Sequence, residues 1–115
     1  MSVCTALLFH IRELRIIRQP YEFNGSDRAV SLFGDDDIFV ESNMIKLRSQ
    51  NPAAYAVTQE QEVGAALQCL SRKEGIPYTM VSFEVFNRNR KWSDKDVTLL
   101  TLLGHCIGDL LNYSE

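Results

Sequence analysis

Apolar side chains recur at regular intervals through most of this chain, and in its last fifth they run almost without a break. Near the start, Leu7, Leu8, Ile11, Leu14 and Ile17 form a broad stripe at helical spacing. Thr5 stands where an N-cap belongs and Pro20 lies just past the end, so the pattern predicts an N-terminal helix with Arg12, Arg15 and Arg18 on its solvated side. Asn24 and Gly25 then mark a turn. Residues 29–33 and 38–42 flank Asp35, Asp36 and Asp37 and read as two short strands joined by a solvated acidic connection. Residues 43–50 read as a short helix, stopped at Asn51 by the restriction that Pro52 places on it.

Thr58 and Gln61 make a capping box, Val63, Ala66, Leu67 and Leu70 follow at helical spacing, and Gly75 with Pro77 would close the element; this predicts a helix over 59–73. A strand follows over 78–87. Thr79, Val81, Phe83 and Val85 form one face and Tyr78, Met80, Ser82, Glu84 and Phe86 the other, so both faces are partly apolar and the strand belongs at the centre of a sheet. The closing helix is capped by Ser93, with Asp94 and Asp96 on its first turn. It carries two apolar stripes: Val97, Leu100, Leu103, Ile107 and Leu111 on one, Leu99, Leu102, Cys106, Leu110 and Tyr113 on the other. One sheet covers one stripe. The second stripe predicts an interface formed by Leu99, Leu102, Cys106 and Leu110, with Gly104 and Gly108 allowing a facing backbone to come close.

Composition narrows the picture. At 115 residues, 45% hydrophobic and 23% charged, the chain has the material for one core, and it reads as a single α+β domain over 1–115 whose small sheet packs against N- and C-terminal helices. A net charge of -3 gives no global attraction to nucleic acid. The three cysteines lack metal-site spacing and are odd in number, which fits a reducing, cytoplasmic setting. Neither a signal peptide nor a membrane span is read from the apolar N-terminus. No nucleophile motif, phosphate-cradling glycine loop or metal-ligand pattern appears, so the expectation is a protein that is not an enzyme and holds no metal or cofactor. His105 and Cys106, adjacent on a helix, point about 100° apart and do not form a catalytic pair. Tyr78, Ser82 and Glu84 share one strand face and are the candidate contacts for a small-molecule ligand.

The stretch from Ala66 to Tyr113 resembles the end of a GAF domain, the small sensory module of phosphodiesterases, phytochromes and many regulators. Asn87 and Arg88 stand where cyclic-nucleotide-type members carry an Asn-Lys step, Trp92 where they carry Phe, and Asp96 and Val97 where they carry Asp-Glu. The resemblance implies a strand over 65–73, against the capping argument above. It also implies a GAF- or PAS-like sheet with the terminal helices on one face and a small-molecule pocket on the other, and dimerisation through those helices. The functional expectation is a non-enzymatic regulatory domain that homodimerises through its last helix and binds a small molecule. The alternative is an adaptor whose last helix docks into a different protein partner.

Overall fold

The structure, a computed structural model, describes residues 2–12, 15–23, 33, 36–50, 52–60 and 62–114. Five strands form one sheet: β1 (Ser2–His10), β2 (Arg15–Phe23), β3 (Ile38–Glu41), β4 (Val63–Lys73) and β5 (Ile76–Phe86). Their spatial order is β2-β1-β5-β4-β3, with β1 and β5 parallel and every other pair antiparallel. A 3-10 turn (Met44–Lys46) leads into α1 (Leu47–Gln50) and α2 (Pro52–Glu60), and α3 (Asp94–Ser114) closes the chain. No helix among the described residues is long and apolar enough to cross a membrane.

The α+β single-sheet architecture, the central strand and the long last helix are as the sequence predicts. Two helices are not. Residues predicted as an N-terminal helix instead form the β1–β2 hairpin, and the segment predicted as a helix over 59–73 divides into the end of α2 and the whole of β4. Glu62, at φ 60, makes the break between them. The Gly75 read as a helix terminator sits in the β4–β5 hairpin. There Glu74 at φ 54 and Gly75 at φ 80 supply the two left-handed residues that a two-residue hairpin of the right twist requires.

Register sorts the side chains into two layers. Leu7, Phe9, Ile11, Ala65, Leu67, Cys69, Val81, Phe83 and Val85 lie on one face, where Val97, Leu100 and Ile107 of α3 cover them. Ala6, Leu8, Leu70 and Met80 lie on the other with Phe33, Ile17 and Phe39, while Met44 and Leu47 bring the short helices over Val63 and Ala66. β5 is buried on both faces from Thr79 to Val85, which is the environment its two apolar faces predicted. At the hinge to α3, Trp92 is buried, and its Nε1 donates to the Glu41 carbonyl at 3.0 Å. Ser93 caps α3 through its Oγ, which accepts from Asp96 N–H at 3.0 Å; the Asp96 carboxyl accepts in return from Ser93 N–H, which with Arg90 holds it below the usual carboxylate range.

The remaining turns follow their local chemistry. Asp36 Oδ1 accepts from Ile38 N–H at 3.3 Å, and Asp37 pairs with Arg72 through two guanidinium nitrogens, so these acids serve a turn; Asp35, Asn24 and Gly25 lie outside the described residues.

Candidate functional site

The parallel pairing of β1 and β5 sets His10 beside Glu84, and the antiparallel pairing of β4 and β5 sets Gln68 beside Ser82. Because Ser82 and Glu84 are two apart on one strand, all four residues share the sheet face turned away from α3. Gln68 Nε2 donates to Ser82 Oγ at 3.2 Å, Ser82 Oγ donates to Glu84 Oε2 at 3.0 Å, and Glu84 Oε1 lies 3.6 Å from His10 Nε2. His10 also meets the Phe86 ring edge-on, at 4.3 Å between centroids. His10, Ser82 and Glu84 are buried, and burial pushes the Glu84 carboxyl up from 4.5 to about 7 despite the opposing pull of the Ser82 hydrogen bond. A carboxyl in that position takes up or releases a proton near neutrality, and in its protonated form it donates a hydrogen bond.

Two of the three residues predicted as ligand contacts thus come together, and the third does not. Tyr78 lies toward the start of β5, about 13 Å along the strand from Ser82, and its ring lies under Lys73 Nζ, 5.1 Å from the centroid. His10 belongs to the cluster and was missed, because a helix over residues 5–17 would have kept it away from any strand partner.

The outward side of α3 is the second candidate. Leu99, Leu102, Leu103, Leu110 and Tyr113 are all exposed, from 48% at Leu103 to 95% at Tyr113, and Cys106 is exposed among them. At 100° per residue these six fall within about 100° of arc, on the side of the helix away from Gly104, Gly108, Val97 and Leu111. The placement of Leu99, Leu102, Cys106 and Leu110 on an uncovered stripe is as predicted, whereas Leu103, expected with the sheet-facing residues, is exposed beside them. The glycines are a correction: both are buried against the chain's own sheet. A Cβ on Gly104 would lie 2.7 Å from Cys69 Sγ, and one on Gly108 would fall on Ser71 Oγ, so it is β4 that approaches closely and not a partner's backbone.

No family model, curated protein or solved structure matches this chain.

The chemistry of the two candidates differs in kind. The buried cluster can hold a proton or a polar ligand group; the α3 stripe can only hold apolar surface. Three clefts, of about 420, 310 and 290 Å3, are lined by described residues, and Tyr78, Ser82 and Glu84 line none of the three. Cys69, directly beneath Gly104, has its thiol pushed up to about 12 by burial and by Asp36, which leaves it protonated and inert.

Proposed function

We propose that this chain is a non-enzymatic regulatory module of GAF-like type, working in the cytoplasm, that pairs with a second copy of itself through the outward face of α3. The observation that carries the reading is that face: four leucines and a tyrosine exposed along one side of a 21-residue helix whose other side already covers the sheet. Their exposed area is roughly 600 Å2 per copy, so a pair of such faces would bury about 1,200 Å2, within the range of specific interfaces. Burial of apolar area on that scale favours association against its entropic cost. A second copy is favoured over a different partner by the internal spacing. Leu99, Leu103, Cys106, Leu110 and Tyr113 step by four, three, four and three residues, the seam of a two-helix coil, with Leu102 alongside. Such a seam complements its own copy in parallel, about a two-fold axis that runs along it. The GAF-like part of the reading is supported by β4, which occupies the segment where that resemblance requires a strand, and by the position of α3 on one face of the sheet. A small-molecule contact at Ser82 and Glu84, on the opposite face, belongs to the same reading.

Parallel pairing sets the two Cys106 thiols opposite each other at the middle of the seam, within disulfide reach. Mild oxidation of native protein is expected to give a covalent dimer that Cys106→Ser abolishes while Cys69 stays unmodified. A chain that stays uncrosslinked and has the mass of one copy by light scattering contradicts the pairing and leaves the stripe to a different protein.

A further inference from the structure

β1 and β5 run in the same direction, so their carboxyl ends meet at one end of the sheet. There the two chains part. Beyond His10, the β1 chain turns through Ile11 and Arg12 toward β2 at the outer edge. Beyond Phe86, the β5 chain turns the other way: Asn87 at φ 56 redirects it, Asn87 N–H donates to the Glu62 carbonyl at 2.9 Å, and the Arg88 backbone lies so close to Gly64 that any side chain there would strike it. Such a parting of neighbouring parallel strands leaves a crevice outside their carboxyl ends, the place where open sheets hold ligands. In this molecule the crevice is about 290 Å3 and is lined by Ile11, Arg12, Val85, Arg88, Asn89 and Arg90.

Three of those six residues are arginines and none is acidic, in a chain whose net charge is -3. Gathering like charges is unfavourable unless an anion joins them. Arg12 and Arg88 are exposed and have no ion pair among the described residues. Arg90 is fixed in place: its Nη2 reaches Asp96 Oδ2 at 3.2 Å, its guanidinium lies 4.9 Å from the Trp92 ring centroid, and its backbone N–H donates to the Ser42 carbonyl at 2.9 Å. Its Nε is buried and has no acceptor among the described residues. Ile11 and Val85 supply an apolar floor and Asn89 a neutral donor.

We infer that this crevice binds the phosphoryl group of a small phosphorylated ligand. Planar guanidinium groups match phosphate oxygens in pairs, and a doubly charged phosphate answers several cations where a carboxylate answers one. The volume admits a phosphoryl group with a small organic body. This site is separate from the Glu84 cluster and from the α3 stripe, so its test stands whether or not the chain dimerises.

Calorimetric titration of the full chain with inorganic phosphate, pyrophosphate and adenosine monophosphate is the experiment, with acetate at equal ionic strength as control. Saturable binding of at least one phosphate-bearing probe, weakened about tenfold or more by Arg12→Gln and by Arg88→Gln, is expected; both residues are exposed, and circular dichroism checks that the variants fold. Binding of adenosine monophosphate without inorganic phosphate identifies a phosphate monoester, and binding of inorganic phosphate alone identifies the free ion; either supports the site. Three results overturn it: no saturable binding, equal binding of acetate, or tight binding of a single-stranded oligonucleotide with none of the small probes.

Discussion

Glu84 sits in an environment that disfavours its charged form. Its carboxyl is buried beside Ser82 and His10 and titrates near 7 in the fold, against 4.5 when free. A raised carboxyl pKa means that the folded chain holds a proton which the unfolded chain has released. The associated stability is present below pH 4.5 and is lost as pH rises through 7. At about 1.4 kcal/mol per pH unit the loss is on the order of 3 kcal/mol. Urea unfolding of the native chain is expected to show stability declining over this window, and Glu84→Gln to flatten that decline; parallel profiles for the two proteins would show that the carboxyl is not desolvated. At Gly104, alanine would gain roughly 1 kcal/mol in helix propensity but must displace Cys69, at a cost of about 1–3 kcal/mol, so Gly104→Ala should lower the unfolding midpoint. Adding Cys69→Ala should recover part of the loss, and a stabilised single variant would show that the helix does not lie that close to β4. Glu84 was legible as an exceptional position because an acid shared a face with Met80 and Phe86. Its neighbour His10 was not, since that contact depends on the pairing of strands far apart in sequence.

At the scale of elements, strand β5 and helix α3 were legible and β1, β2 and β4 were not; β5 kept its β-branched and aromatic residues as a signal, whereas β1 and β4 did not. Strands covered on both faces lose the polar-apolar alternation that identifies them. β4 is buried at Val63, at Ala65 to Leu67 and at Cys69 to Ser71, so Val63, Ala66, Leu67 and Leu70 matched a helical spacing by coincidence. In β1, Leu7 and Phe9 face α3 while Ala6, Leu8 and His10 face the opposite layer, and again no period-two signal survives. The N-cap and capping-box signals at Thr5 and Thr58 were local patterns that long-range strand pairing overrode. α3 was recognised because its cap, its acidic first turn and its apolar repeats agree with one another over 21 residues. The spacing of Gly104 and Gly108 correctly signalled a close approach, but sequence alone did not say against what.

For the molecule as a whole, the sheet has two sides and the chain covers both, α3 on one and the short helices on the other. Among the described residues, five of the nine exposed large apolar side chains lie on the far side of α3. An isolated copy would expose a run of leucines along its longest helix, the kind of apolar surface that marks an interaction site. Pairing of two copies also accounts for the seam spacing about Cys106, which burial on the chain's own sheet does not use. Sedimentation velocity of the purified chain over a range of concentrations, beside a Leu99→Glu, Leu102→Glu, Leu110→Glu variant, measures this most directly. The account predicts a dimer that dissociates on dilution and a variant that stays folded and monomeric throughout; a native chain that is monomeric and soluble at every concentration, indistinguishable from the variant, would contradict it.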